Sequence, residues 1–277
     1  MVKSIPTVKL SISSDKIDSD VSYFLNQFPF LGLEEQSETW IWYWEVESWE
    51  NHGNDVQEYL NRKKIIFESE YLEGENWNAN WEKSFSPVFI DSFCQIRAHF
   101  HNPLDGFEHD IVIDPKMAFG TGHHDTTYQM MAAMALLNFK NSSILDLGTG
   151  TGVLAILAEK MGASNIIAID NDPSAIENSI ENAKLNSCNN IDIRLGDVSV
   201  VMDEIAKSDI LLANINRNVL LELEPVLASA AKHGTELVLS GILRKDKQLI
   251  LDQYANHWQP QIHSQKGDWV CIYGKKS

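Results

Sequence analysis

The sequence is poor in the features that mark membrane, secreted and metal-binding proteins. None of its apolar runs approaches the roughly 18–20 residues that a membrane-spanning helix needs. The first sixteen residues lack the apolar core of a signal peptide. Cys94, Cys188 and Cys271 lie far apart and form no CxxC pair. These absences predict reduced thiols, a cytoplasmic location, no metal site and no membrane partner.

Basic residues are scarce relative to acidic ones. The 277 residues include 22 lysines and arginines against 39 aspartates and glutamates, which gives a net charge of −17. We therefore expect no direct contact with nucleic acid, whose phosphates would repel the chain, and the charge favours a neutral or basic partner. With 44% hydrophobic and 22% charged residues, the composition is that of a folded globular protein.

The first part of the chain differs from the rest in composition and in pattern. Residues 1–104 hold 8 basic against 17 acidic residues and six of the eight tryptophans. Short alternating segments predict the order βαββαβ, a small α+β domain of the ferredoxin-like kind, over residues 1–71. A polar linker is predicted over residues 72–85. The predicted strands are 8–12, 30–35, 40–46 and 64–71, and the predicted helices are 18–28 and 54–63.

The second part of the chain alternates strand, turn and helix from residue 143 onward. Such alternation predicts an α/β domain with a mostly parallel, doubly wound sheet, which we assign with some short leading strands to residues 86–277. The predicted strands are 143–147, 165–169, 191–195, 210–214, 236–239 and 269–273, and the predicted helices are 153–161, 173–185, 217–232 and 245–258.

A glycine-rich turn follows the first of these parallel strands. Asp146, Gly148, Gly150 and Gly152 form a DxGxGxG pattern that leads into a helix. Glycines let a ligand approach bare backbone, and the helix N-terminus offers free N–H donors. The Asp146 carboxylate favours the sulfonium of S-adenosylmethionine over the pyrophosphate of a dinucleotide. Residues 150–155 also satisfy GxGxxA, so an NAD-dependent oxidoreductase remains the alternative.

Three polar residues end the strands that follow the glycine turn. Asp170 ends the second strand, where a carboxylate can accept hydrogen bonds from ribose hydroxyls. Asp197 follows the third strand and either accepts the adenine amino hydrogens or simply closes a turn. Asn214 ends the fourth strand beside the switch point where ligands bind. Asn214 could instead cap the next helix, but Asn216 is better placed for that role.

Residues 118–127, AFGTGHHDTT, strongly resemble the AFGTGxHxTT signature of the PrmA family, the methyltransferases of ribosomal protein L11. The DNDP run at 170–173 and the LSGIL run at 239–243 are similar to that family as well. Trp77 and Trp81 resemble its tryptophan-bearing linker. The resemblance covers residues 75–277 well and the first seventy only in general plan.

The sequence also departs from the family pattern. Lys116 and Asp125 stand where the family often has Gly and Pro. Both changes bear on loop rigidity, and neither removes an expected cofactor ligand.

The resemblance implies a class I S-adenosylmethionine-dependent methyltransferase. It implies cofactor contacts at Thr127, Gly148, Asp170 and Asn214, and an N-terminal domain that recognises ribosomal protein L11. The substrate amines of the family are lysine side chains and the N-terminal α-amine, methylated repeatedly. His124 is either a loop anchor or a catalytic participant. Another protein or a nucleic acid as substrate is the remaining alternative, and the net charge disfavours nucleic acid.

Transfer to nitrogen requires a neutral amine, yet no sequence element indicates a dedicated general base. We assign Asn214 the catalytic role of orienting the amine, with the proton leaving to water. We also expect a monomer. Trp40, Trp42 and Trp44 either alternate inward to fill the core of the small domain or stand exposed to anchor the basic protein substrate.

Overall fold

The computed structural model describes residues 7–25, 27–35, 38–72, 86–114 and 119–277. The chain divides into two compact units, Met1–Phe85 and Ser86–Ser277. Trp77 and Trp81, with the predicted linker from residue 73 onward, lie outside the described residues, as does the Lys116 position.

Over its described residues, the first unit is a four-stranded sheet with two helices. Its strands stand in the order β2-β3-β1-β4, and every neighbouring pair is antiparallel. The described elements are β1 (Thr7–Ser13), α1 (Ser19–Leu25), β2 (Gly32–Glu35), β3 (Thr39–Glu45), α2 (Val46–Arg62) and β4 (Phe67–Leu72).

Helix α2 begins at Val46, eight residues before the predicted start, so that prediction was wrong. Trp49, Gly53, Val56 and Leu60 are buried at helical spacing along one face. A Cβ on Gly53 would lie 2.8 Å from the Trp49 ring, so the glycine admits the indole against the helix. A helix-disfavouring glycine therefore concealed the first two turns from the sequence pattern.

Alternate residues of β1 and β3 fill the core of the first unit. Trp42 and Trp44 are completely buried, whereas Trp40 is half-buried at the edge of the cluster. The indole rings of Trp44 and Trp49 meet edge to face, 5.6 Å apart. The core interpretation is therefore confirmed for Trp42 and Trp44, and these two side chains are not exposed anchors.

The second unit opens with a small sheet in the order β5-β6-β7 and continues with a seven-stranded sheet. The larger sheet has the order β10-β9-β8-β11-β12-β14-β13, with β8 to β12 parallel and β14 and β13 antiparallel. The strands are β5 (Val88–Ile90), β6 (Cys94–Arg97), β7 (His109–Val112), β8 (Ser143–Leu147), β9 (Asn165–Asp170), β10 (Ile191–Leu195), β11 (Ile210–Asn214), β12 (Glu236–Leu243), β13 (Gln261–Lys266) and β14 (Trp269–Lys275).

Helices cover both faces of the larger sheet and confirm the predicted mostly parallel α/β fold. Successive residues of β8 belong to two separate hydrophobic clusters: Ile144 packs on one face and Leu145 on the other. The helices are α3 (Asp125–Met134), α4 (Val153–Lys160), α5 (Pro173–Leu185), α6 (Met202–Ile205), α7 (Arg217–Ala230) and α8 (Lys247–Tyr254). Among the described residues, no helix has both the length and the apolar character needed to cross a membrane.

Two predictions near the C-terminus need correction. The helix predicted over 245–258 is limited to Lys247–Tyr254, and β12 continues to Leu243 rather than ending at residue 239. Strand β13 was not predicted, because its sequence QIHSQK is polar and mostly exposed and forms the edge of the sheet. Pairing with β14, rather than its own composition, makes it a strand.

Candidate functional site

A cavity of about 760 Å³ opens at the carboxyl ends of the parallel strands. It lies where β8 has β9 on one side and β11 on the other, which is the switch point of the sheet. Five predicted site residues line it: Gly148, Gly150, Asp170, Asp197 and Asn214. Thr127, Asp146 and Gly152 are not on its wall and belong to the layer behind it.

The three glycines of the turn have positive φ angles of 73°, 56° and 82° at Gly148, Gly150 and Gly152. A Cβ on Gly148 would collide with the side chain of Ile215, and one on Gly150 would collide with the carbonyl oxygen of Phe119. A Cβ on Gly152 would lie 3.1 Å from that of Ser179 on α5. The absent side chains thus admit neighbouring protein segments to the turn.

Asp170 connects the glycine turn to the end of β9. Its Oδ2 accepts a hydrogen bond from the Gly150 N–H at 2.9 Å, and its Oδ1 accepts one from the Asp172 N–H at 3.0 Å. Each carboxylate oxygen has capacity for a further hydrogen bond. The carboxylate is therefore held by backbone on one side and available to a ligand in the cavity.

Asp197 both lines the cavity and closes the turn after β10. Its Oδ1 accepts hydrogen bonds from the N–H and the hydroxyl of Ser199, at 2.8 and 2.5 Å. These hydrogen bonds lower the pKa of the exposed Asp197 carboxyl below its ordinary value. Asp197 therefore closes the turn, as one of the two interpretations predicted, and it also lines the cavity.

Asp146 is completely buried beneath the glycine turn. The Thr149 hydroxyl donates a 2.6 Å hydrogen bond to its Oδ2, and its Oδ1 finds no partner among the described residues. Burial raises the pKa of Asp146 to about 7, and the hydrogen bond from Thr149 opposes this rise. Any effect of this carboxyl on a ligand must therefore act through the turn, not by contact across the cavity wall.

Asn214 lines the cavity and carries an unused hydrogen-bond acceptor that is buried. Its Nδ2 donates to the Thr127 hydroxyl oxygen at 3.3 Å, which fixes the amide orientation. Its buried Oδ1 has no partner among the described residues. Asn216 accepts from the N–H groups of Asn218 and Val219 and caps α7, as the sequence predicted. Asn214 is therefore not the cap of α7.

Aromatic side chains form one end of the cavity. The rings of Phe119 and His124 lie 5.1 Å apart, and those of His124 and Trp269 lie 4.9 Å apart. The Nδ1 of His124 accepts a hydrogen bond from the Thr126 N–H at 3.3 Å and caps α3. This hydrogen bond supports the loop-anchor role of His124, which also lines the cavity.

Trp269, Glu222 and Gly241 line the cavity but were not predicted as site residues. The LSGIL run contains Gly241, which has a φ of +85° at an irregularity of β12 and approaches the backbone of Ile215. The run was therefore a usable signal for Gly241. Trp269 begins β14, and Glu222 lies within α7. No local sequence pattern shows which face of either element meets the cavity.

The cavity wall carries carboxylates at Asp170, Asp197 and Glu222, and its described lining residues include no lysine or arginine. Such a wall attracts cationic groups and repels phosphates. No cluster of three or more metal-ligating side chains occurs within the described ranges.

The parallel sheet, the glycine turn and the cavity at the switch point define a Rossmann-like α/β enzyme fold. Residues 8–277 match the model of one family in particular, described as "Ribosomal protein L11 methyltransferase (PrmA)". The chain belongs to this family and is a methyltransferase.

Individual relatives agree with the family match. The chain is 38% identical over 238 residues to a protein of Porphyromonas gingivalis named "Ribosomal protein L11 methyltransferase", covering 86% of this chain and 71% of that one. It is 39% identical over 222 residues to a protein of the same name from Bacteroides thetaiotaomicron, covering 79% of each. The crystal structure of a ribosomal protein L11 methylase from Lactobacillus delbrueckii subsp. bulgaricus superimposes with a TM-score of 0.62 at 28% identity, covering 70% of this chain and all of that chain.

Proposed function

We propose that this enzyme transfers methyl groups from S-adenosylmethionine to amino groups of ribosomal protein L11, namely lysine side chains and the N-terminal α-amine. Family membership over residues 8–277 supports the activity and the substrate. The observation that carries the chemistry is Asn214 on the wall of an acidic cavity, with a buried Oδ1 that has no partner among the described residues. The proposal further includes that the enzyme is a cytoplasmic monomer and contacts neither nucleic acid nor a membrane.

The cavity suits S-adenosylmethionine better than a dinucleotide, because its acidic wall would repel a pyrophosphate and accommodates a sulfonium. In the proposed arrangement the Asp170 carboxylate accepts hydrogen bonds from the ribose hydroxyls. The Asp197 carboxylate accepts hydrogen bonds from the adenine amino group. The backbone at Gly148 and Gly150 lies against the cofactor. Asp146, Gly152 and Thr127 support these residues from behind. When bound, the cofactor supplies an electrophilic methyl group.

The protein must present a neutral amine in line with that methyl group. Deprotonating a lysine with a pKa near 10.4 costs roughly 4–5 kcal/mol at pH 7, whereas an α-amine near 8 costs about 1 kcal/mol. The rings of Phe119 and Trp269 reduce the hydration of an amine that enters beside them, which favours its neutral form. The side chain of Asn214, on the cavity wall, orients the lone pair of the amine, and the proton that the amine loses passes to water through the open cavity.

For the first unit we propose a ferredoxin-like domain, residues 1–72, that recognises ribosomal protein L11. The antiparallel order β4-β1-β3-β2 with helices α1 and α2 supports the fold. Ribosomal proteins are generally basic, and the excess of nine acidic residues over residues 1–104 favours their approach. Leu72 ends β4 and so belongs to this domain; residues 73–85 act as the linker and residues 86–277 carry out transfer.

The test is incubation of the enzyme with labelled S-adenosylmethionine and the separated ribosomal proteins, followed by mass spectrometry. We expect label on lysine and α-amino nitrogens of ribosomal protein L11. The Asn214→Ala variant should lose transfer by about 100-fold, because the amine is no longer oriented. The matched variant Asn189→Ala, at an exposed position away from the cavity, should keep it. Label on RNA, or on another protein in preference to L11, would contradict the proposal.

A further inference from the structure

One threonine of the glycine turn, Thr151, is completely buried. It holds residues 119–124, which we call the signature loop, by two hydrogen bonds. Its N–H donates to the carbonyl oxygen of Phe119 at 2.9 Å, and its hydroxyl donates to the carbonyl oxygen of Gly120 at 2.7 Å. A Cβ on Gly120 would lie 2.8 Å from that hydroxyl oxygen. The glycine therefore permits the close approach, and the threonine converts it into a hydrogen bond.

Thr151 is held in turn by an asparagine of α5. The Nδ2 of Asn182 donates to the Thr151 carbonyl oxygen at 2.9 Å, and its Oδ1 accepts from the Asp114 N–H at 2.8 Å. Asn182 is completely buried, and both ends of its amide are used. One side chain thus joins the glycine turn to the segment that enters the signature from β7.

Two further asparagines on the same helix face extend this contact. Asn186 accepts from the Val112 N–H at 2.9 Å and donates to the Val112 carbonyl at 2.6 Å, as a neighbouring strand would. Asn178 donates to the Asp114 carbonyl at 3.2 Å. Residues 178 and 182 of α5 and its C-cap residue 186 recur every four positions, so their amides form one row.

We propose that Thr151 and Asn182 are positioning residues that set the signature loop, and with it the Phe119 ring at the cavity, against the glycine turn. Neither residue lines the cavity, so each acts through the loop. The expected kinetic consequence rests on the proposed function, because Phe119 is there part of the aromatic end that receives the substrate amine. The structural consequence, ordering of residues 119–122 on the turn, does not depend on it.

The test compares Thr151→Val, which removes the hydroxyl, with Thr151→Ser, which keeps it. Thr235→Val is the matched control, because Thr235 is equally buried and donates a 3.0 Å hydrogen bond to the Ser208 carbonyl away from the cavity. Hydrogen exchange of residues 119–124 is measured in the cofactor-free protein. Cofactor Kd is measured by calorimetry, and kcat/KM with ribosomal protein L11.

In Thr151→Val we expect several-fold faster exchange over residues 119–124 and a loss of about tenfold in kcat/KM, because the loop is no longer positioned. The cofactor Kd should stay within about twofold, since the turn backbone keeps its other hydrogen bonds. Thr151→Ser and Thr235→Val should remain close to wild type in all three measurements. In a double-mutant cycle, Asn182→Ala combined with Thr151→Val should cost less than the sum of the single changes.

Exchange in Thr151→Val no faster than in Thr235→Val would overturn the proposal, as would faster exchange with unchanged kcat/KM. An equal loss in cofactor affinity would also overturn it, because Thr151 would then serve only the turn. If the wild-type enzyme does not methylate ribosomal protein L11, the proposed function fails, and the exchange measurement still decides whether Thr151 orders the loop.

Discussion

The two units of the chain differ in the kind of side chain that they bury. In the first unit, the described core consists of hydrophobic residues such as Val8, Leu10, Trp42 and Trp44. The buried polar and charged side chains among the described residues all belong to the second unit. They are Gln95, Thr126, Thr127, Gln129, Asp146, Thr149, Thr151, Asn178, Ser179, Asn182, Ser208, Glu224, Thr235 and Ser240.

This difference bears on the roles proposed for the two units. A buried polar group is costly unless it is hydrogen-bonded, and a satisfied network holds a single geometry. The second unit uses such groups next to its cavity, where Thr127, Thr151 and Asn182 fix loops and turns. The described core of the first unit is hydrophobic, so the recognition proposed for this unit would have to use its surface.

The strongest test of this division is removal of the first unit. A chain beginning at Ser84 should keep its S-adenosylmethionine affinity within about twofold and lose methylation of intact ribosomal protein L11 by at least about 100-fold, since substrate docking is lost. Calorimetry and labelled transfer measure the two effects. Methylation at the wild-type rate would refute the recognition role. Loss of cofactor binding would show that the removed residues belong to the catalytic unit.

A core substitution can weaken the first unit without removing it. Trp42→Ala should destabilise that unit by about 3–5 kcal/mol, because it leaves a large cavity among β1, β3 and α2. Denaturant unfolding measures the loss of stability. Hydrogen exchange of the β1 and β3 amides shows that the loss lies in the first unit. Trp40→Ala, at the half-buried neighbour, should cost less. A weaker cofactor affinity in Trp42→Ala would show that the two units are not independent.

The buried carboxyl of Asp146 should make the stability of the second unit depend on pH. Its folded pKa of about 7 lies above the ordinary value of 3.8, so between pH 4 and 7 the folded state keeps a proton that the unfolded state has released. The free energy of unfolding should therefore fall by at most about 4 kcal/mol as pH rises through this window. It should level off at higher pH.

Asp146→Asn should lack this component of the pH dependence, and the exposed-site control Asp203→Asn should retain it. Urea unfolding of the three proteins from pH 5 to 8 measures the difference. Parallel stability curves for wild type and Asp146→Asn would show that the carboxyl is already ionised throughout this range.

A smaller effect is expected at the cavity itself. Asp170→Ala should weaken S-adenosylmethionine binding by about 1–3 kcal/mol, because charge-assisted hydrogen bonds to the ribose are lost. Asp170→Asn, which keeps one acceptor oxygen, should lose less. Glu70→Ala, an exposed acidic position of the first unit, should bind the cofactor normally. Unchanged affinity of a folded Asp170→Ala protein in calorimetry would reject the ribose assignment.

The parallel strands and their helices were largely predictable because their signals are local. Pro173–Leu185 and Ile210–Asn214 have the predicted bounds, since a Pro beside a capping Asp172 and an uninterrupted apolar run mark them in the sequence. Strand β13 and the first two turns of α2 lacked such signals. Their structure depends on β14 and on the Trp49 contact respectively.

By itself, the sequence determined which residues meet at the switch point, because strands of alternating βα units end on the same edge of the sheet. It predicted that Gly148, Asp170 and Asn214 lie together, and all three line the cavity. Only the tertiary structure decided that Gly150 faces the Phe119 carbonyl and that Asn182 joins Thr151 to Asp114. Those contacts join residues 31 to 68 positions apart. Side-chain amides and carbonyls so distant have no local signature, because the folding of the whole sheet brings them together.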